Sequence, residues 1–429
     1  MGERRVIVVG AGAAGLMAAA EAARAGAETW LLEKMGHPGL KLGLSGNRRC
    51  NLTNVTPLKE FAAHFGPRAP FVRFAFSRFF TADLVALLEN LGVRTMVEED
   101  GRVFPASGRA RDVVEALLRR AGQSGADLRL RTSVERLVAE HSRLVGAVTM
   151  GGRFWKADAV ILATGGASYP ATGSTGDGYE LARTLGHTIV APRPALVPIE
   201  TAGELAPRLQ GLSLTDVKVR VLVRRGKRAL AERAQASGEM LFTHFGVSGP
   251  AVLAVSKHAA NALAAGEWVV LSIDLKPALD ERNLDRLLLR ELGAHGKQRA
   301  AGWLKRLVPR KLVPAAAEVA GVSPGTLAHQ VTAEERRRLV AWLKDFRLEV
   351  TGHRPLAEAI VTAGGVETRE VNPRTMASRL VKGLYFAGEV LDIDADTGGY
   401  NLQAAFSTGW VAGGSAAKGQ EVRSGGNVS

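Results

Sequence analysis

Near the N-terminus, Gly10-Ala11-Gly12-Ala13-Ala14-Gly15 sets three glycines at the spacing of a dinucleotide cradle, and Glu33 follows 18 residues after Gly15. The chemistry needs that order. Gly10 permits a tight turn, Gly12 lets backbone reach a pyrophosphate, and Gly15 lets a helix pack closely on a strand. Glu33 stands where an acid takes ribose hydroxyls, and its charge repels a 2′-phosphate, which disfavours NADP in this pocket. Such a cradle requires a strand before it and a helix after it. Val6-Ile7-Val8-Val9 reads as the buried parallel strand, and the Ala-rich stretch 16–25 reads as the helix, ended by Gly26. Thr29-Trp30-Leu31-Leu32 is a second strand closing at Glu33. Arg4 and Arg5 before an apolar run at 6–20 imitate a secretory signal. The glycines inside the run explain it better.

The 429 residues suffice for two or three domains of roughly 100–200 residues. With 46% hydrophobic and 23% charged residues, the chain has the balance of a folded protein. A single cysteine, Cys50, excludes an internal disulfide framework and a cysteine-based zinc site, and fits a reducing, cytoplasmic setting. No apolar run reaches the ~18 residues of a membrane helix, so no membrane partner is expected. No internal repeat is present. A second glycine fingerprint is also missing, so either NAD(P)H visits as a transient reductant rather than occupying its own domain, or the electrons come from elsewhere.

Further motifs are scattered along the chain: Gly39-Leu40-Lys41 with Ser45-Gly46-Asn47-Arg48-Arg49-Cys50-Asn51-Leu52-Thr53-Asn54, Gly101-Arg102-Val103-Phe104-Pro105, and Ala163-Thr164-Gly165-Gly166-Ala167-Ser168-Tyr169-Pro170 running on to Gly178. Phe242-Thr243-His244 with Ser248-Gly249-Pro250 lies mid-chain, and Gly383-Leu384-Tyr385-Phe386-Ala387-Gly388-Glu389, Asp392 and Thr397-Gly398-Gly399-Tyr400-Asn401-Leu402-Gln403 close the series. In this order, over residues 1–415, they resemble the BaiN/RdsA family of flavoproteins. One departure is visible: the approach to Arg-Cys-Asn is Asn47-Arg48, bulkier and more basic than the family's glycine-rich version.

The resemblance implies FAD, held in a discontinuous α/β domain, Rossmann-like and of the two-dinucleotide-binding type, with an inserted β-rich plus small helical domain. It implies cofactor contacts from Gly10, Gly12, Ala13, Ala14, Gly15, Glu33, Lys34, Lys41, Ser45, Arg49, Asn51, Thr53, Val134, Thr164, Gly165, Gly166, Gly388, Glu389, Asp392, Gly399, Tyr400, Asn401 and Leu402. The residues agree on their own terms. Strand 160–163 ends in a Thr-Gly-Gly turn, strand 384–387 ends in an acid able to take a ribityl or ribose hydroxyl, and Gly398-Gly399 opens a helix at 401–412 whose amides can face a flavin edge. The FAD domain is expected at 1–190 and 353–420. The insertion, 191–352, begins at a stiff cluster of Pro192, Pro194 and Pro198, with β character over 191–275 and helical character over 276–345. Asn283 to Leu292 and Glu334 to Leu343 carry helical spacing. The tail is expected to fray from Gly413, with 421–429 flexible.

Net charge is +14, distributed as +6 over 1–190, +9 over 191–352 and −1 over 353–429. The basic insertion contains Arg224-Arg225-Gly226-Lys227-Arg228 at a hairpin tip. It also has the acid-free run Lys297, Arg299, Lys305, Arg306, Arg310 and Lys311 with Trp303. Such clusters suit a phosphate backbone, and equally a solvated basic face, with an acidic surface as the lesser alternative. Members of the family include flavoenzymes reducing a uridine of large-subunit ribosomal RNA to dihydrouridine and reductases of bile-acid intermediates. Large-subunit rRNA is therefore the expected partner. Saturating the uracil double bond needs a hydride from flavin and a proton from a positioned acid. Cys50 is the leading proton donor; His244 and Tyr400 are the rivals. Arg48, Arg49 and Arg109 can hold phosphates, and Tyr169 or Phe245 can stack on a base flipped out of its helix. The expected activity is FAD-dependent reduction of a uridine in 23S rRNA. A reductase of a small unsaturated metabolite and a non-catalytic flavin-bound RNA-binding factor remain as alternatives.

Overall fold

The computed structural model describes residues 3–226 and 228–419. Lys227 of the basic hairpin tip and the expected flexible tail lie outside them. The chain divides into two compact units, Met1–Ala195 with Ala359–Ser429, and Leu196–Glu358.

The first unit is built on a five-stranded parallel sheet: β1 (Arg5–Val9), β2 (Glu28–Leu32), β3 (Ala126–Arg129), β4 (Ala159–Leu162) and β5 (Leu384–Phe386), in spatial order β5-β4-β1-β2-β3. Val6, Ile7 and Val8 and all of β4 are buried, as strands covered on both faces must be. In register, Val9 lies beside Leu162 and Leu32, and Leu162 beside Phe386. The sites that follow these strands, at Gly10, Glu33, Ala163 and Ala387, therefore emerge along one edge of the sheet. Ligands bind at that carboxyl edge in such sheets.

Helix α1 (Ala13–Arg24) follows β1, and helix α2 (Tyr400–Lys418) closes the described chain. The expected fraying from Gly413 is not found, because α2 continues to Lys418. Glycine reads as a helix breaker by propensity, but here tertiary packing decides. A Cβ on Gly413 would stand 2.3 Å from the Ala18 carbonyl oxygen, and one on Gly409 would stand 2.4 Å from that of Ala14. Glycine is what lets α2 lie on α1. The proline cluster also differs from a simple stiff crossing. Ile189–Ala195 is a strand paired antiparallel with Val361–Val366, and the register shifts between Val190 and Arg193, around Pro192, which has no N–H to donate.

The second unit is a closed six-stranded antiparallel barrel. Ser213–Arg224 and Ala231–Phe242 form its long hairpin, and Phe346–His353 closes the ring on Ile199–Thr201. The alternation expected at 217–223 is the barrel's inside–outside period: Val217, Val219, Val221 and Val223 are buried. The helical part includes Glu281–Ala294, capped by Asp280 accepting from Asn283 N, and Ala333–Lys344, opened by a Thr332–Glu335 capping box.

Candidate active site

The first turn of α1 is built to receive an anion. Gly12 caps it without a side-chain hydrogen bond, so the leading amides point out unpaired. A Cβ on Gly12 would meet nothing within 4 Å, whereas one on Gly15 would stand 1.8 Å from the Gly10 carbonyl oxygen. One glycine faces open space and the other is needed for packing. The Glu33 carboxylate is fixed beside this turn, accepting from Ala11 N and Met35 N at 2.8 Å each. Val134 opens its strand two residues after Thr132, whose N–H bonds the Glu33 carbonyl at 2.8 Å. Lys34 pairs with Asp177 at 2.8 Å and donates to Thr175.

A second cluster gathers where β4 and β5 end. Lys41 Nζ donates to both Glu389 oxygens, at 2.9 and 2.7 Å, and to Ser168 Oγ at 2.7 Å. Thr362 N donates to Glu389 Oε1 at 2.8 Å, and the Thr362 hydroxyl accepts from Ala167 N. Gly166 must be glycine here, since a Cβ would lie 2.4 Å from Thr362 Oγ1 and 3.0 Å from Glu389 Oε1. Asp392, buried, takes Arg68, which also lies 3.8 Å from Glu367. Burial, then the charges of Glu389 and Asp392, push the Tyr179 hydroxyl pKa up. That hydroxyl, Thr164 Oγ1 and Gln403 Oε1 are buried without a hydrogen-bond partner among the described residues.

The third cluster is the start of α2. Gly399, at φ +95°, approaches Thr53 so closely that a Cβ would strike its carbonyl oxygen at 2.4 Å. With its amide oriented to satisfy both neighbours, Asn51 accepts from Gly399 N at 3.0 Å and donates to Thr53 O at 3.2 Å. Asn401 exchanges hydrogen bonds with the Ala395 backbone at 2.9 Å, and the neighbouring Leu402 is half-buried. Tyr400 is stacked under His64 (3.8 Å, 19°) and edge-on to Phe61, and burial raises its pKa against a bond to Thr56. His64 Nδ1 bonds Asp396 at 2.9 Å.

These clusters lie in sequence along the two helices. The contacts Ala14–Gly409 and Ala18–Gly413 advance together, so the helices run parallel. Tyr400 starts α2 nine residues before Gly409, while Ala13 starts α1 one residue before Ala14. At 1.5 Å per residue, α2 reaches roughly 12 Å further out than α1. Gly388 lies against both Ala14 and Ala405, so Glu389 leaves the sheet between the two helix starts. An uncapped amide terminus, a carboxylate and a second uncapped amide terminus are thus set in a row.

Other expected site residues sit differently. Cys50 is fully buried with φ +63°, and burial pushes its thiol up to about 12 against a Ser45 hydroxyl bond. Arg49 pairs with Glu98 at 2.5 Å and lies over the Phe104 ring at 4.2 Å. Arg48 and Arg109 are exposed, the latter beside Asp112 at 3.2 Å. His244 belongs to the second unit, exposed on the turn after Phe242 and edge-on to Phe245. Reading the sequence did not single out His64, Asp396, Thr362 or Arg68. Ser168 lies inside the motif from Ala163 to Pro170, but His64 and Asp396 are 332 residues apart, with no local pattern to join them.

The family model described as the HI0933-like protein Rossmann domain matches residues 4–415. The chain belongs to that family. It is a family of FAD-dependent oxidoreductases. The chain is 32% identical, over 96% of its length and 99% of the relative's, to a 3-dehydro-bile acid delta(4,6)-reductase of Clostridium scindens. It is likewise 32% identical, over 94% and 96% of the two lengths, to a ribosomal RNA dihydrouridine synthase of Escherichia coli. Among solved structures, a flavocytochrome c3 fumarate reductase matches with TM-score 0.52 at 20% identity, covering 97% of this chain and 78% of that one. A 3-ketosteroid-delta4-(5alpha)-dehydrogenase of Rhodococcus jostii matches with TM-score 0.51 at 17% identity, over 97% and 98%. At those identities the likeness is one of fold. No helix among the described residues is long and apolar enough to cross a membrane, and none of their His, Cys, Asp and Glu side chains group to hold a metal.

The site fits FAD. Open space faces Gly12, buried polar atoms at Thr164, Tyr179 and Gln403 want partners, and the start of α2 lies roughly 12 Å beyond that of α1 along the helix axis, which leaves room for a ribityl chain between a pyrophosphate and a ring.

Proposed function

We propose that this protein reduces a uridine of 23S rRNA to dihydrouridine, using FAD and, as ultimate donor, NAD(P)H. The observation that carries the reading is charge. The insertion holds +9 of the net +14, an excess that a small apolar metabolite does not need and a phosphate backbone does. Relatives named for rRNA dihydrouridine synthesis support the same substrate.

In this reading the α1 amides, with Gly12 open before them, hold the pyrophosphate, and Glu33 holds the adenosine ribose. Glu389 takes a hydroxyl of the ribityl chain, with Lys41 and Thr362 fixing its carboxylate. The start of α2, with Asn51 and Tyr400, faces the ring. When bound, FAD supplies the hydride for one carbon of the uracil double bond. The proton for the other carbon we assign to His64 in preference to Cys50. Asp396 holds His64 Nδ1, Tyr400 supports the ring from below, and Nε2 has no hydrogen-bond partner among the described residues, in a side chain one-third exposed. Cys50 has no such exposure.

The bile-acid reductase named above, at equal identity, favours a second reading: reduction of a conjugated double bond in a small metabolite. Mass mapping of rRNA from a strain lacking the gene separates the two. Loss of one dihydrouridine, restored by this chain, is the expected result; unchanged rRNA together with turnover of an unsaturated metabolite contradicts the proposal.

A further inference from the structure

The helix Glu281–Ala294 of the second unit buries Leu284, Leu288 and Leu292. Arg282, Arg286 and Arg290 recur with the same four-residue period, and each lies two residues before a buried leucine. At 100° per residue that offset is about 200°, so the three guanidiniums form a stripe facing away from the core, about 6 Å apart along the axis. All three residues are exposed.

The helix's acids do not answer this stripe. Asp280 caps the helix through Asn283 N, and Asp285 binds Arg336 at 2.6 Å. Glu291 faces His295 at 3.6 Å and Arg306 at 4.0 Å. Only Glu281 is left in the first turn. Among the described residues Arg282 and Arg290 show no hydrogen bond or ion pair, and Arg286 donates only to its neighbour Asn283 at 3.3 Å. Helix stability does not account for Arg282 either, because a cation in the first turn opposes the helix dipole. Between the arginines the stripe carries Leu289, 47% exposed, and ends at Gly293, where an added Cβ would meet nothing. The face is therefore basic, low and unencumbered, with Lys297 exposed just beyond it.

We infer that this stripe is an RNA-backbone contact surface, with Arg282, Arg286 and Arg290 each meeting a phosphate and Leu289 lying against the sugar edge. Regular spacing of single charges along a rod matches a strand of phosphates better than it matches a compact acidic protein patch. The inference rests on the rRNA reading and extends it: the motifs around 224–228 and 297–311 are not the whole basic surface.

The test uses full-length protein and a 23S rRNA fragment, with affinity measured by filter binding from 50 to 300 mM salt. The variant is Arg282→Gln/Arg286→Gln/Arg290→Gln. The control, Arg73→Gln/Arg78→Gln/Arg94→Gln, removes the same charge from exposed arginines of the first unit. Each lost phosphate contact lowers the slope of log K against log salt by ~0.7–0.9, so the stripe variant should flatten it by roughly 2–3 and bind on the order of 10²-fold more weakly at 0.15 M salt. The control should change the slope by less than 1. Equal effects of the two variants, or no effect of the stripe variant on a wild-type protein that binds, would overturn the inference. Wild-type protein that shows no salt-dependent RNA binding at all would instead remove the rRNA reading beneath it. Circular dichroism of the variants should match wild type, since the three side chains are exposed.

Discussion

Replacing Gly12 and Gly15 separately by alanine should divide cofactor binding from folding. Gly12 has φ −82° and ψ −167°, which alanine adopts freely, and its Cβ would meet nothing. The apoprotein of Gly12→Ala should therefore be as stable as wild type, or more stable by about 0.4–1 kcal/mol because the unfolded chain loses freedom. The new methyl group, however, occupies the approach to the α1 amides. Displacing a pyrophosphate from two charged hydrogen bonds of about 1.5–3 kcal/mol each weakens FAD by roughly 10²–10⁴-fold. Gly15→Ala should behave in the opposite sense. Its Cβ would stand 1.8 Å from the Gly10 carbonyl oxygen and 2.9 Å from the Gly10 carbonyl carbon, backbone atoms with no rotamer to escape into. Overpacking of ~3 kcal/mol or more, offset by about 1 kcal/mol of helix propensity, leaves a net loss of ~2 kcal/mol. Apoprotein Tm by circular dichroism should then fall by about 4–8 °C. FAD titration by flavin fluorescence measures the other axis. Wild-type FAD affinity in Gly12→Ala, or an unchanged apoprotein Tm in Gly15→Ala, would refute the cradle geometry.

Three further outcomes follow from the structure. Cys50, fully buried with its thiol raised to about 12, should resist iodoacetamide at pH 8 in the native protein and react at once on unfolding, as mass spectrometry would record. Arg48 holds φ +66°, so Arg48→Gly should raise stability by up to about 1 kcal/mol in urea unfolding, since glycine adopts that backbone without strain. His187 is buried between Glu370 at 3.0 Å and Ser378 at 2.8 Å, and burial lowers its pKa although Glu370 pulls the other way. With the folded pKa below the unfolded value of about 6.5, the unfolded chain binds the extra proton, so stability present above that pH is lost as pH falls. His187→Gln should flatten the Tm profile between pH 7 and pH 5; an unaltered profile would contradict this assignment.

The parts of the fold that could be read from sequence are those whose physics is local. The strand–glycine–helix–strand–acid series at 5–33 fits within one βαβ unit, and each residue's role follows from its neighbours in the chain. The valine alternation at 217–223 is likewise a property of one strand. The closing of six strands into a barrel is not, because it depends on Phe346–His353 meeting Ile199–Thr201 across nearly the whole insertion. Gly413 misled for a related reason: its value lies in a contact with Ala18, and propensity sees only the helix it would weaken. At the site, Glu389 and Lys41 each stood in a recognisable motif, but nothing in either motif says that they touch, or that Thr362 completes the group. His64 and Asp396 carry no motif at all. Cys50 stood out by being the sole thiol, a distinction of composition that burial deprives of access to solvent.

The most direct test of the account is a single-turnover reaction. FAD-loaded protein, reduced and kept free of oxygen, is mixed with unmodified 23S rRNA while flavin absorbance is followed and the RNA is then mapped by mass. Reoxidation of the flavin matched by a two-hydrogen mass gain at one uridine is the predicted result. Flavin that stays reduced with every uridine unchanged, under conditions where the RNA is bound, would contradict it.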